Sequence, residues 1–216
     1  YLTDAPASFE VAVTPADIAF EREKNDREAA VEGHAPGNFS DEYLETLALY
    51  RKIVERLLEW DTLLFHGSCI SVDSKAYLFT AKSGTGKSTQ VSMWLRHLPG
   101  CDLMNDDNPI IRIIEGQPYI YGSPWSGKTP CYRNVKARLG AVTTIVRAEA
   151  NHVERLRPIE AFASLLPACS TMKWDEPTYR LTCDAITHIV ESTGIYALHC
   201  LPNPESAIVC NRTIKV

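Results

Sequence analysis

Two segments of the sequence combine glycine, lysine and a hydroxyl residue in the order that phosphate-binding loops use. The pattern is Gly-x-x-x-x-Gly-Lys-Ser/Thr, in which backbone N–H groups and the lysine hold phosphate oxygens and the hydroxyl binds Mg²⁺. Residues 122–129 match every position of the pattern, whereas residues 81–88 carry Ala81 in place of the first glycine. The letters alone therefore favour residues 122–129.

The neighbouring elements favour residues 81–88 instead. A phosphate loop needs a strand before it and a helix after it, because the helix N-terminus and the converging N–H groups attract the anion. An apolar run at 76–80 predicts the strand, and apolar residues at helical spacing predict a helix over 87–98. At 122–129, Pro124 lacks an N–H group and no amphipathic helix follows. We therefore predict that residues 81–89 form the phosphate loop.

The residues of this loop have distinct expected roles. Lys87 should reach the β- and γ-phosphates of a nucleotide, and the Ser88 hydroxyl should bind Mg²⁺. Ala81 would be strained if the turn needs a positive φ at that position, although alanine is the smallest such change. The residues predicted to bind the nucleotide are Ser83, Gly84, Thr85, Gly86, Lys87, Ser88 and Thr89.

Two adjacent acids supply the carboxylates that a phosphate site with Mg²⁺ requires. Asp106 and Asp107 follow a short apolar run, and neighbouring side chains of an extended segment point to opposite sides. One acid would then face the metal while the other meets the hydroxyl that accepts the phosphoryl group. His66 lies in a predicted strand that pairs with 76–80, which would bring it close to the acids.

The second Gly-Lys segment contributes candidate cations. Lys128 and Arg133 would place positive charge on the transferring phosphoryl group or on the substrate. Trp125 is a candidate for lining a pocket, and an ordinary basic surface loop is the alternative interpretation of the segment.

The elements that must position these residues form an α/β pattern with a mixed β-sheet. Gaps of three and four residues predict two antiparallel hairpins, because a parallel crossover needs about a dozen residues. Residues 1–40 are predicted to form a short N-terminal α/β extension with a strand at 9–13, and residues 41–216 the main domain. Ser40 is the expected N-cap of a helix that ends near residue 60. The remaining predicted elements are strands at 63–72, 110–114, 119–121, 141–146 and 195–201, and helices at 159–166, at 177–192 and from 205.

Composition excludes several classes of partner. The 216 residues are 45% hydrophobic and 23% charged, with a formal net charge of −5 and no basic block, so nucleic acid is not an expected partner. No window approaches the roughly 18 consecutive apolar residues that span a bilayer, so no membrane association is expected. The seven cysteines contain no Cys-x-x-Cys pair, which favours reduced thiols in a cytoplasmic protein.

Taken together, three motifs resemble the catalytic domain of the HPr kinase/phosphorylase family. They are His66-Gly67-Ser68, Ser83-Gly-Thr-Gly-Lys-Ser88 and Asn105-Asp106-Asp107, in this order. The family is similar in fold to ATP-dependent phosphoenolpyruvate carboxykinase, and the resemblance covers about residues 62–130. It implies a serine kinase that uses ATP and Mg²⁺.

The resemblance also implies individual roles. Lys87 and Ser88 would bind phosphate and Mg²⁺, Asp106 would accept the hydroxyl proton with support from His66, and Asp107 would lie near the metal. The glycine-rich segment that HPr kinases carry after the acids is missing. The acceptor is therefore left open among a serine peptide, a protein and a small molecule, as are dephosphorylation and assembly into a homo-oligomer.

Three functions compete at this point. A phosphotransferase that moves the γ-phosphoryl group of ATP to a hydroxyl is favoured, and pyrophosphate is an alternative donor for the same loop. A nucleotide-binding regulatory module without transfer chemistry is the main alternative. A carboxykinase-type activity is less favoured, because the chain is too short for the additional domain of those enzymes.

Overall fold

The computed structural model describes residues 4–82, 84–127 and 129–215. These residues group into two compact units, one up to residue 57 and one from residue 58 onward. The expected division into residues 1–40 and 41–216 stays a prediction. Among the described residues, no helix combines the length and the apolar character that crossing a membrane requires.

The first unit is helical. It contains α1 (Pro15–Glu32) and most of α2 (Asp41–Leu58). Thr14 and Asp17 form a capping box at the start of α1, and the Ser40 hydroxyl accepts a hydrogen bond from the Tyr43 N–H at the start of α2, as predicted. Buried Glu21 of α1 binds Arg51 of α2 at 2.6 Å.

The predicted strand at 9–13 was wrong. The segment forms no strand, and the described part of this unit contains none. Alternating side chains indicate a strand only when a neighbouring strand can take up its backbone hydrogen bonds, and this segment has no such neighbour. The N-terminal extension is therefore helical and not α/β.

The second unit is built around one mixed sheet. Its strand order is β1-β5-β6-β7-β3-β2-β4, and β9 pairs with both β7 and β8. Strands β3, β7 and β9 are parallel, and the other pairings are antiparallel. The strands are β1 (Thr62–Leu64), β2 (Gly67–Val72), β3 (Lys75–Thr80), β4 (Asp102–Asp107), β5 (Ile110–Ile114), β6 (Gln117–Tyr121), β7 (Lys136–Arg147), β8 (His152–Arg155) and β9 (Gly194–Cys200). This architecture agrees with the predicted α/β fold built on a mixed sheet.

Both predicted hairpins are confirmed. The β2–β3 turn holds Asp73 and Ser74 at φ of 51° and 63°, and the β5–β6 turn holds Glu115 and Gly116 at 51° and 73°. Two successive residues with positive φ make the tight turn whose twist matches that of the flanking strands.

Helices cover both faces of the sheet. The helices of the second unit are α3 (Lys87–His97), α4 (Pro158–Leu165), α5 (Glu176–Ser192) and α6 (Pro204–Ile214). Residues of α4 and α5 contribute to one buried apolar cluster, and residues of α3 and α6 to the other. In β3, Leu78 belongs to the first cluster, whereas Tyr77 and Phe79 belong to the second and contact the Trp94 ring. Burial on both faces explains why residues 76–79 of β3 form an uninterrupted apolar run.

All seven cysteines are free thiols, and five of them are buried. Burial raises the pKa of Cys210 to about 12, which keeps this thiol neutral.

Candidate functional site

The connection between β3 and α3 has the backbone of a tight glycine loop. Gly84 and Gly86 adopt φ of 75° and 129°, conformations that residues with a Cβ rarely reach. Ala81 does not adopt a positive φ, so the strain considered for this position is absent. The strand before the loop and the helix after it are formed as predicted.

The N-terminus of α3 lies at the end of this loop. Gly86 is the N-cap residue, and no described side chain caps the helix there. The first turn of a helix carries N–H groups without intrahelical partners and a partial positive charge. Lys87 adds a full positive charge, and its Nζ lies 3.2 Å from His66 Nε2 and 3.4 Å from the Ala81 carbonyl oxygen. This end of α3 can therefore attract an anion.

The sheet topology brings the acids to the same edge. Strand β4 is antiparallel to β2, and β2 is antiparallel to β3, so the carboxyl ends of β3 and β4 meet there. The register places Ser68 opposite Asp106 and Gly67 opposite Asp107. His66 immediately precedes β2 at this edge. The topology therefore gathers the glycine loop, the two acids and His66 within one region.

The two acids differ in burial and in partners. Asp106 is 5% exposed, and its Oδ1 accepts a 2.5 Å hydrogen bond from the Ser68 hydroxyl. The Asp107 side chain is 37% exposed, and its Oδ1 lies 3.2 Å from His66 Nε2. His66 therefore contacts Asp107, whereas the sequence analysis expected it beside Asp106. Ser68 belongs to a motif noted in the sequence, but its hydrogen bond to Asp106 was not predicted.

Asp107 has an unusual backbone conformation. Its φ is 121°, which residues with a Cβ rarely adopt, and such strain persists only where surrounding contacts enforce it. Asp107 pairs with Ser126 in an isolated antiparallel bridge, and the next residue donates its N–H to Asn105 Oδ1 at 2.8 Å. These contacts fix the direction in which the Asp107 carboxylate leaves the strand.

The segment after β6 is anchored to the acidic end of β4. Buried Asn105 donates its amide to the Trp125 carbonyl at 2.9 Å and to Ser123 Oγ at 3.3 Å. The Gly127 N–H donates to the Asp106 carbonyl oxygen. A Cβ at Gly127 would lie only 3.0 Å from the Asp107 Cβ, so the close approach of the two segments favours glycine there. No helix occurs in the described residues from 122 to 135, in agreement with the sequence analysis.

These residues enclose a cleft of about 560 Å³, called here the loop cleft. It contains most of the predicted site, together with Ser68 and Gly127, which the sequence analysis did not select. Its lining residues are His66, Ser68, Gly84, Gly86, Lys87, Ser88, Thr89, Asp106, Asp107 and Gly127. Ser83 and Lys128, also predicted to belong to the site, lie outside the described residues.

Arg133 is not part of the loop cleft. It binds the Asp102 carboxylate at 2.6 Å and the Leu103 carbonyl, near the start of β4. The hydrogen bond that Arg133 donates to the Asp102 carboxylate raises the pKa of the guanidinium. The acids lie at the other end of this six-residue strand, about 15 Å away at 3.3 Å per residue. The structure therefore does not bring Arg133 to the acids.

The oxygen donors fit a metal that arrives with a phosphate ligand. Within residues 4–82, 84–127 and 129–215, no group of three or more His, Cys, Asp and Glu side chains is arranged to hold a metal by itself. Mg²⁺ usually keeps several waters and is held by one or two carboxylates together with substrate phosphates. Ser88 and Asp107 face the loop cleft and could supply such a partial set of oxygens.

Comparisons with known proteins add little to this geometry. No family model matches the sequence, and no curated protein does. Among solved structures, the HPr(Ser) kinase/phosphatase from Coxiella burnetii is similar with a TM-score of 0.40 and 12% sequence identity. The similarity covers 70% of this chain and 93% of that one.

Proposed function

We propose that the second unit is a phosphotransferase that uses ATP and Mg²⁺ and phosphorylates a hydroxyl group of a serine peptide, a protein or a small molecule. The observation that carries this proposal is the loop cleft itself. It joins a helix N-terminus that no described side chain caps, a lysine and a serine hydroxyl to two carboxylates. A cleft that bound phosphate alone would gain nothing from two acids, because carboxylates repel phosphate in the absence of a metal or a proton transfer.

The basic side of the cleft would hold the donor. The N–H groups at the start of α3 would bind the phosphate oxygens, and Lys87 would leave Ala81 and His66 to reach the β- and γ-phosphates. Ser88 and Asp107 would hold Mg²⁺, which neutralises charge on the phosphates during transfer. His66, 3.2 Å from Asp107, would keep that carboxylate in position.

The acidic side would activate the acceptor. Oδ1 of Asp106 is occupied by the Ser68 hydroxyl, so Oδ2 would take the proton from the acceptor hydroxyl. The acceptor oxygen would form a bond to the γ-phosphorus as the bond to the β,γ-bridging oxygen breaks. The products would be ADP, the phosphorylated acceptor and a proton on Asp106. On sequence grounds, Lys128 stays a candidate for placing positive charge on the transferring phosphoryl group or on the substrate.

A labelled-phosphate experiment tests this proposal. The protein is incubated with Mg²⁺ and ATP labelled at the γ-phosphate, together with free serine, a library of serine peptides and HPr in separate reactions. We expect label on at least one acceptor class and none with Lys87→Ala. Binding of nucleotide without label transfer to any acceptor would contradict the proposal and favour the regulatory module.

A further inference from the structure

A second cleft opens on the opposite side of the glycine loop. It measures about 470 Å³ and is called here the side cleft. Gly84, Gly86 and Thr89 line both clefts, so the two adjoin at the loop. A ligand whose phosphates lie in the loop cleft could therefore extend into the side cleft without leaving the protein surface.

The side cleft lies where a parallel sheet usually binds ligands. Strands β3, β7 and β9 are parallel neighbours, and the cleft is at their carboxyl ends. Its walls include the apolar side chains Ile145 and Leu201 and the buried thiol of Cys200. Burial raises the pKa of Cys200, which keeps the thiol neutral. These walls suit a flat apolar ring better than a second anion.

Gln90 provides a polar group with an unfilled bonding capacity. The residue lines the side cleft and is 3% exposed. Its Oε1 lies 2.9 Å from the Ser206 hydroxyl oxygen, whose single proton also faces the Asn203 carbonyl at 2.6 Å. Its Nε2 has no hydrogen-bond partner among the described residues. A buried amide with an unpaired atom is unfavourable, so a polar ligand atom that bonded to this amide would gain binding free energy.

Arg147 forms the polar rim of the same cleft. Its guanidinium donates to the Gly84 carbonyl and, at 3.1 Å, to the Thr85 carbonyl. These bonds hold the loop against the end of β7. They also leave a planar cation beside the cleft, where it can stack on an aromatic ring.

We propose that the side cleft binds the nucleoside of the phosphoryl donor, with the base against Ile145 and Leu201 and a polar atom of the base on the Gln90 amide. This inference rests on the proposed function, since it assumes that phosphates occupy the loop cleft. It makes a nucleoside triphosphate the preferred donor and pyrophosphate a poor one.

The test compares ATP with tripolyphosphate, which has the same phosphate chain and no nucleoside. Calorimetry in the presence of Mg²⁺ should show that the protein binds ATP at least tenfold more tightly. Gln90→Met removes the amide without changing charge, and Ser206 retains its 2.6 Å hydrogen bond to the Asn203 carbonyl. We expect this variant to weaken ATP binding about tenfold, to leave tripolyphosphate binding within twofold, and to melt no lower than the parent protein.

Two further variants make the outcomes distinguishable. Leu201→Ala changes a side chain that is 38% exposed, so it should fold normally and weaken ATP binding selectively by a few-fold. Lys87→Met should weaken both ligands. Equal affinity of the parent protein for ATP and tripolyphosphate, or equal losses of both with Gln90→Met and Leu201→Ala, would overturn the side-cleft proposal alone. Failure of the parent protein to bind either ligand would overturn the proposed function as well.

Discussion

At the scale of residues, His66 has one ring nitrogen between two partners. Its Nε2 lies 3.2 Å from Lys87 Nζ and 3.2 Å from Asp107 Oδ1. In a neutral ring this nitrogen either accepts from the lysine or donates to the carboxylate, and it cannot do both. The position of Lys87 therefore decides which tautomer of His66 is favoured.

Nucleotide binding should consequently change the His66 tautomer. When Lys87 moves to the phosphates, the tautomer with the proton on Nε2 should be favoured, because Nε2 then donates a hydrogen bond to Asp107. The ¹⁵N chemical shifts of the imidazole report this directly, with and without Mg²⁺ and a non-hydrolysable ATP analogue. Lys87→Met should show the donating tautomer without nucleotide. Identical ring shifts in the free and bound parent protein would contradict this coupling.

Some residues of the site could be predicted from the sequence and others could not. Lys87 and the two acids were found because glycine loops and paired acids have recognisable patterns. Ser68 belongs to the His66-Gly67-Ser68 motif, but its role was not predicted, because it depends on the register that sets Ser68 opposite Asp106. Arg133 was selected because it is near Lys128 in sequence, but the chain carries it to the far end of β4.

At the scale of elements, Asn105 determines the position of the segment that follows β6. Its side-chain amide donates hydrogen bonds to Ser123 and Trp125, and these lie beside the hydrogen bond from the Gly127 N–H to the Asp106 carbonyl oxygen. Asn105→Ala should lower the free energy of unfolding by about 2 kcal/mol, because buried carbonyl groups lose their donor. It should also lower turnover, because Gly127 no longer stays against the acids.

Hydrogen exchange can localise the effect of this variant. The Gly127 and Cys131 N–H groups, which bond to Asp106 and Ser126, should exchange faster in Asn105→Ala. Asn151→Ala is a matched control, because the Asn151 side-chain amide donates its hydrogen bonds to Asn203 and Glu205 and not to the segment after β6. Unchanged exchange at Gly127 would show that Asn105 does not hold the segment.

The helices of the first unit should be sensitive to acid. Asp17 accepts hydrogen bonds from Lys52 at 2.8 Å and from Thr14, and these lower its pKa far below the ordinary value. The ionised carboxylate therefore stabilises this unit above about pH 4, and the stabilisation is lost as pH falls further.

Asp17→Asn should therefore lower stability at neutral pH and flatten its dependence on pH. Lys52→Met, which removes the partner, should have a similar effect. Unfolding followed by the helical circular dichroism signal from pH 7 to pH 2 measures both. An acid dependence in Asp17→Asn as steep as that of the parent protein would contradict the assignment.

Sequence patterns predicted an element best when the residues that determine it lie close together in the sequence. The predictions of the two hairpins were correct because strands joined by a tight turn can pair only in the antiparallel direction. The prediction of β3 was correct because burial of both faces gives the strand a recognisable apolar run. Strand β8 was missed because its residues 152–155 are mostly charged or polar and lie beside β9 only through a distant pairing. The strand at 9–13 was predicted wrongly for the opposite reason, because its apolar and polar side chains alternate but no described strand pairs with it.

At the scale of the whole molecule, one edge of the sheet collects everything that the proposal uses. The glycine loop follows β3, the acids end β4, His66 precedes β2, and the side cleft lies at the ends of β7 and β9. Five strands therefore contribute to two adjoining clefts. The sequence could not show this convergence, because it depends on the order of strands in the sheet.

The central claim is that the acids act in phosphoryl transfer and not in nucleotide binding alone. The measurement that tests it most directly is turnover against nucleotide affinity for Asp106→Asn. Glu115→Gln, in the β5–β6 turn, is the matched control for exchanging a carboxyl for an amide group.

We expect Asp106→Asn to reduce turnover by a factor of about 10²–10⁴ and to change the affinity for ATP and Mg²⁺ by less than threefold, because the base acts in the transfer step. Glu115→Gln should match the parent protein in both measurements. Unaltered turnover in Asp106→Asn, or a parent protein with no turnover to lose, would contradict the claim.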